Sequence, residues 1–208
     1  NLIPGNGYSL VTPLVLSFAS EQAEDFVLAG FGVGSLIGGI LLTVWGGPKR
    51  RMDGILGAMV LAGRAGLLAG LQESVWLTAV SLVFIGVSFV FMIGLNRVIW
   101  QVKAAPSVLG RVFSLRVAAG VGAQSLGVLS AGFMADRWFE PLLQEGGGLA
   151  GSVGSLIGVG EGRGMALMFM LLGVSLLLLT ADSYILPQVR FMEDEIPDYV
   201  EPAHAAAD

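Results

Sequence analysis

The sequence has no cysteine among its 208 residues, and charged side chains are scarce. The lack of cysteine excludes a disulfide framework, a thiolate metal site and a catalytic thiol. Asp, Glu, Lys and Arg make up 13% of the chain, whereas an average soluble domain has about 25%. Because a soluble fold of this size needs more polar surface to face water, the composition indicates an integral membrane protein.

Glycine, by contrast, is abundant, with 31 of the 208 residues, about twice its usual share. Small residues four positions apart allow membrane helices to approach closely. Three such stripes occur: Gly30, Gly34 and Gly38; Gly54, Ala58, Ala62, Gly66 and Gly70; and Ala119, Ala123, Gly127 and Ala131. They predict a tight helix bundle, although glycine-rich helices that face lipid also produce such stripes by chance.

Six apolar segments approach the length of about 20 residues that a membrane-spanning helix needs. They cover approximately residues 2–19, 26–46, 54–71, 75–95, 112–134 and 164–186. We therefore predict an all-α membrane protein with a six-transmembrane-helix bundle over residues 1–186. An acidic tail over residues 187–208 follows, and its composition predicts that it is disordered and solvated. The chain begins close to an apolar run and without Met, so we expect a fragment or cleaved piece of a longer protein.

The distribution of Lys and Arg predicts the orientation of the spans, because these residues are retained on the cytoplasmic side. Eight of them fall in the 47–53 loop, around the 96–111 segment and in the tail, and two fall on the other side. The tail is therefore predicted to be cytoplasmic, in a multi-pass protein of the cell membrane. The glycine-rich 138–163 stretch becomes the long outer connection, expected at the membrane interface with a flexible lead-in to the last helix.

A compact basic turn joins the second and third spans. It consists of Gly46, Gly47, Pro48, Lys49, Arg50, Arg51, Met52, Asp53 and Gly54. In a transporter, three cations in so short a turn can contact carboxylates in only one of two conformations, which makes the turn a gating loop. On chemistry alone, an anchor that follows the positive-inside rule remains an alternative.

The same turn resembles the basic signature between the second and third helix of each half of major facilitator superfamily proteins. A second predicted cytoplasmic loop, with Arg97, Lys103, Gly110 and Arg111, resembles a helix connection of the macrolide-efflux-like branch of that superfamily. Leu126-Gly127, Ala135-Asp136-Arg137 and the 193–198 tail are similar to the same branch, whereas Ser125 replaces its usual proline. The resemblance covers nearly the whole chain and implies helices seven to twelve, half of a twelve-helix fold.

The resemblance also implies which helices line a substrate pathway. The polar and aromatic candidates on them are Tyr8, Thr12, Ser81, Phe84, Ser88, Phe91 and Gln124. Lone Ser or Gln residues are equally often interhelical hydrogen-bond partners, and both interpretations stay open. Arg64 lies within a span, about 200° around the helix from Ala62, so snorkelling to the interface is expected in preference to a pathway role.

The implied function is a secondary active transporter half, with proton-coupled efflux of amphipathic small molecules such as macrolides, drugs or secreted metabolites. Its expected partners are the lipid bilayer, an N-terminal six-helix half and the small-molecule substrate. A non-transporting membrane anchor or assembly module is the alternative. An enzyme is not expected, because the residues for hydrolysis within a membrane are missing. No cofactor, metal or nucleic acid is expected either.

Overall fold

The computed structural model describes residues 2–103, 105–195 and 197–199, and its regular elements in that part of the chain are all helical. The longer ones are α1 Leu2–Leu16, α2 Glu21–Trp45, α3 Arg51–Leu71, α4 Val75–Lys103, α5 Pro106–Met134 and α8 Arg163–Ile185. The short helices are α6 Glu140–Leu143, α7 Gly154–Ile157, α9 Pro187–Arg190 and α10 Met192–Glu195, with a π-helical segment at Ala135–Phe139. The predicted all-helical class is confirmed for these residues.

Five of these helices are long and apolar enough to cross a membrane: α2, α3, α4, α8 and the run that begins with α5. The predicted first span over 2–19 forms only the 15-residue helix α1, which ends at Leu16. Ser17 and Phe18 follow in a turn whose amides still bond back to Pro13 and Val15. A 15-residue helix is shorter than a span requires, so the count of six spans is not confirmed.

Helix ends lie further into polar sequence than predicted. The second helix begins at Glu21, not residue 26, because the Ser20 hydroxyl accepts a hydrogen bond from the Ala23 amide and caps it. Glu21 and Glu24 add negative charge to its first turn, which the helix dipole favours. The fourth helix continues to Lys103, because an apolar pattern with buried Leu95 and Ile99 extends past residue 95.

Small residues allow the helices to approach closely, and two of the three predicted stripes lie at helix contacts. On α2, a Cβ added at Gly34 would lie 2.7 Å from the carbonyl carbon of Val83 in α4. On α3, a Cβ at Gly66 would lie 3.3 Å from the Cα of Gly173 in α8. The third stripe is only partly used, because Gly127 and Ala131 are buried whereas Ala119 is exposed. Each long helix packs against the next one in the spatial order α5, α1, α8, α3, α4 and α2.

The 138–163 stretch is a folded cap, whereas a flexible lead-in to the last helix was predicted; its expected place at the membrane interface stays a prediction. Leu143 and Ile157 are buried against Leu167 of α8. Both carboxylate oxygens of Glu140 accept amide hydrogen bonds at the start of α8, from Gly162 at 3.3 Å and from Met165 at 3.0 Å. The carboxylate thus caps the last long helix from a distant position in the chain.

Arg163, one of the two cations predicted to lie on the outer side, fixes the cap to the bundle. Its side chain is 2% exposed, and Nη1 donates to the Ile157 carbonyl at 2.7 Å. Its Nε lies 3.0 Å from Oε1 of Glu73, between α3 and α4, as an ion pair without hydrogen-bond geometry. A buried guanidinium needs such partners, so the cap and the α3–α4 turn are held together by charge.

Candidate functional site

The predicted gating loop lies at one end of the bundle, here called the basic end, beside the last turn of α4 and the acidic tail. Gly46 and Gly47 both have positive φ angles, of 76° and 85°, a backbone region that favours glycine. The Gly46 amide donates to the Leu42 carbonyl at 2.9 Å and ends α2. These two glycines turn the chain sharply enough for α3 to begin at Arg51.

The structure corrects the extent of this loop. Arg51, Asp53 and Gly54, predicted as loop residues, form the first turn of α3. The irregular connection therefore contains Gly46, Gly47, Pro48, Lys49 and Arg50. Arg50 is the N-cap residue but makes no side-chain cap hydrogen bond, so the first amides of α3 need another acceptor.

That acceptor is Glu193 of α10, a residue that sequence reasoning did not assign to the site. Its Oε2 accepts hydrogen bonds from the Arg51 amide at 2.7 Å and the Met52 amide at 3.3 Å. Its Oε1 lies 2.7 Å from the guanidinium Nη1 of Arg51. Arg50 stacks over the ring of Phe191 at 5.2 Å. The carboxylate thus binds a helix N-terminus and a cation together, which is the favourable combination for an anion.

The tail also binds the last turn of α4. Lys103 Nζ donates to the Glu193 carbonyl at 2.6 Å and pairs with Asp198 at 2.8 Å. The Tyr199 amide donates to the Val102 carbonyl at 3.0 Å. The prediction of a disordered, solvated tail is therefore wrong for residues 187–195 and 197–199, because specific acids and amides find partners there. Residues 196 and 200–208 lie outside the described part.

The second predicted cytoplasmic loop is mostly helical. Arg97 and Lys103 belong to α4, whereas Gly110 and Arg111 belong to α5, which starts at Pro106. Proline is suited to the first position of a helix because its missing amide is not needed there. Arg97, Gly110 and Arg111 are exposed. Of the four predicted residues, Lys103 is the one that contacts the described residues of the tail.

Arg116 ties α4 to α5 near the same end. Its guanidinium donates to the side-chain oxygen of Asn96 and lies 4.9 Å from the centre of the Trp100 ring. Exposed cations over aromatic rings contribute modestly, about 0.5–1 kcal/mol. The contact keeps the first turns of α5 beside α4, where the two helices otherwise meet little.

The substrate-pathway candidates on α4 are not on one open face. Ser81 and Ser88 are buried, and their hydroxyls donate within the helix to the carbonyls of Leu77 and Phe84. The Phe84 side chain is exposed. Phe91 packs with the cluster around Leu95. Both serines are therefore buried inside the bundle in this conformation, and their assignment to a substrate pathway stays a prediction.

The remaining pathway candidates are also separated. Thr12 of α1 is exposed and donates to Oε1 of Glu24 in α2 at 2.7 Å. Gln124 of α5 is exposed, and the side chain of Tyr8 lies outside the described residues. Glu24 was missed because the second span was predicted to start after it. Arg64 is exposed, on the side of α3 away from the buried Ala62 and Gly66, as its helical phase predicts.

Comparisons with known proteins find similarity to macrolide efflux proteins over part of the chain. The chain is 32% identical over 116 residues to macrolide efflux protein A of Streptococcus pyogenes, covering 52% of this chain and 29% of that protein. It is 34% identical over 87 residues to macrolide efflux protein A of Enterococcus faecalis, covering 41% of this chain and 27% of the relative. Both relatives are efflux proteins by name. The matched part is thus less than a third of either relative's length. No family model and no solved structure matches the chain.

Proposed function

We propose that this chain is the C-terminal half of a secondary exporter of the major facilitator superfamily. In the complete protein it would act with an N-terminal six-helix half around a site near the middle of the bilayer. The similarity to macrolide efflux proteins over about half of the chain carries this proposal. It supports amphipathic small molecules as substrates, and proton antiport is our proposal for the energy source.

The exposed faces of α2 and α5 are consistent with a partner half and with lipid. Leu36 and Val44 of α2 are 70% and 83% exposed, and Leu115 and Leu129 of α5 are 73% and 76% exposed. Large apolar side chains on helices of this kind need an apolar environment, which either a second bundle or acyl chains provides. The long apolar helices support membrane insertion, and the positive-inside rule supports an orientation with the basic end in the cytoplasm.

The basic end supplies the proposed gate. Lys49 and Arg50 connect α2 to α3, and Arg51 is the first residue of α3. Both helices move with their half of the protein during transport. Contacts that these cations make in only one of two transport conformations bias the equilibrium by their differential free energy, about 1–3 kcal/mol or roughly 5- to 150-fold. Arg51 is already paired with a carboxylate here, which supports a role for this turn in exchanging anionic partners.

The test replaces Lys49, Arg50 and Arg51 with Gln in the full-length protein and measures transport and topology in the same vesicles. We expect transport to fall by about fivefold or more, while single-cysteine labelling shows unchanged topology. Arg137→Gln, which removes an exposed cation at the opposite end, serves as the control. Normal transport would reduce the turn to a topological anchor, and no transport by the unmodified protein would favour the assembly-module alternative.

A further inference from the structure

The start of α3 is capped from the far end of the chain. Glu193 accepts the amides of Arg51 and Met52 although it lies 142 residues from Arg51 in sequence. Amides in the first turn of a helix have no intrahelical partner. The carboxylate is 12% exposed on its side chain, compared with 33% for Arg51. A largely buried carboxylate that accepts several hydrogen bonds binds its partners more strongly than an exposed carboxylate in a surface ion pair does.

The tail holds two helices at once. Phe191, Met192, Glu193, Asp198 and Tyr199 are here called the tail clasp. Met192 packs against the buried cluster of Ile55 from α3 with Leu95 and Ile99 from α4. Lys103 at the end of α4 binds Glu193 and Asp198. The clasp therefore connects the gating loop to α4 by apolar packing and by charge. Glu193 forms a salt bridge with Arg51, and Asp198 forms one with Lys103.

We infer that the tail clasp is an autoinhibitory element, in which Glu193 competes with the anionic groups that the gating loop binds during transport. The inference rests on the proposed function. While Glu193 bonds to the Arg51 side chain and the start of α3, another carboxylate cannot take the same place. The clasp therefore has to detach, at least at Glu193, each time the loop changes partners. Detachment is favoured by salt, because Asp198 is 64% exposed on its side chain and such pairs are screened.

The first test measures attachment without any transport. In the full-length protein, hydrogen exchange of the Arg51 and Met52 amides reports on Glu193, because these amides have no acceptor within α3. Glu193→Ala is expected to speed their exchange about tenfold or more, as loss of a charged acceptor implies. Glu195→Ala is the matched control, because this neighbouring acid is exposed. Equal exchange in the two variants would show that the tail is not attached and would overturn the inference.

The second test locks the clasp shut. The chain contains no cysteine, so Val102→Cys and Tyr199→Cys add one defined pair to a full-length protein whose other half is made cysteine-free. The backbone hydrogen bond of 3.0 Å between these residues holds them close enough for a disulfide. Transport is then measured on the same vesicles before and after reduction. We expect the oxidised form to be slower by about fivefold or more, in the range of a typical coupling between sites.

The two tests separate the possible failures. Glu193→Ala should transport faster than the unmodified protein, and faster exchange with unchanged transport would overturn the regulatory role. An oxidised pair that transports as fast as the reduced pair would overturn it as well. If the unmodified protein does not transport, the proposed function fails, and the exchange measurement still decides whether Glu193 caps α3.

Discussion

Replacing Gly34 with alanine adds one methyl group and should disrupt the contact between α2 and α4. A Cβ at Gly34 would overlap the carbonyl oxygen of Val83 and lie 2.8 Å from its Cα. Carbon atoms pack at about 3.5–4.0 Å, so the helices must separate by about 1 Å. The obstacle is backbone, which cannot rotate away as a side chain can. Overpacking of this kind costs about 1–3 kcal/mol.

Thermal unfolding of the 208-residue chain in a mild detergent, followed by circular dichroism, measures this cost. A loss of about 2 kcal/mol lowers the midpoint by about 4–8 °C for a chain of this size. Gly34→Ala should therefore unfold several degrees below the unmodified chain. Gly38→Ala, whose Cβ would be 3.0 Å from Val87, should lie in between. Gly32→Ala is the control, because its Cβ meets nothing within 4 Å. Equal midpoints for the variants at positions 32 and 34 would refute the packing argument.

Two further predictions concern the ends of the bundle. Single cysteines at the exposed positions Ser107 and Ser152 should react with impermeant reagents from opposite faces of the membrane, and reaction of both from one face would contradict the helix topology. Glu73→Gln should make the cap more susceptible to protease in sealed vesicles than Arg163→Met, because the first change leaves a guanidinium that is 2% exposed without its countercharge, whereas the second leaves a carboxylate that is 51% exposed to water. Equal cleavage of the two variants would contradict a role for the ion pair in holding the cap.

The sequence predicts well the helices whose ends coincide with a change from apolar to charged residues. The last long helix was predicted over 164–186 and extends over Arg163–Ile185, because a largely apolar run long enough to span a membrane begins directly after Arg163 and ends before Pro187. The Gly34 and Gly66 stripes were also placed correctly at helix contacts. Ends that depend on capping were missed, as at Ser20, although a serine followed by two acids in the next four residues is a recognisable start signal.

The contacts at the candidate site could not be predicted in the same way. Composition shows that the tail is acidic and the turn basic, but it does not show which acid meets which cation. Glu193 contacts Arg51 because the start of α3, the end of α4 and the tail lie at the same level of the bundle. Arg163 is a similar case, since its burial depends on Glu73 and on a carbonyl of the folded cap. Packing of the helices decides which charged residues become partners over such long sequence distances. The local sequence around each charged residue does not indicate its partner.

The run from Pro106 to Leu143 has a mechanical consequence. Its 38 residues continue through the π-helical segment and measure about 57 Å at 1.5 Å per residue, whereas the hydrocarbon core is about 30 Å thick. One end lies beside Lys103 at the basic end, and the other ends in the buried Leu143 of the cap. Over most of its length this run contacts chiefly α1. A rigid tilt of about 10° around its middle would move each tip by about 5 Å, so a displacement at the basic end would reach the cap through a single continuous helical run.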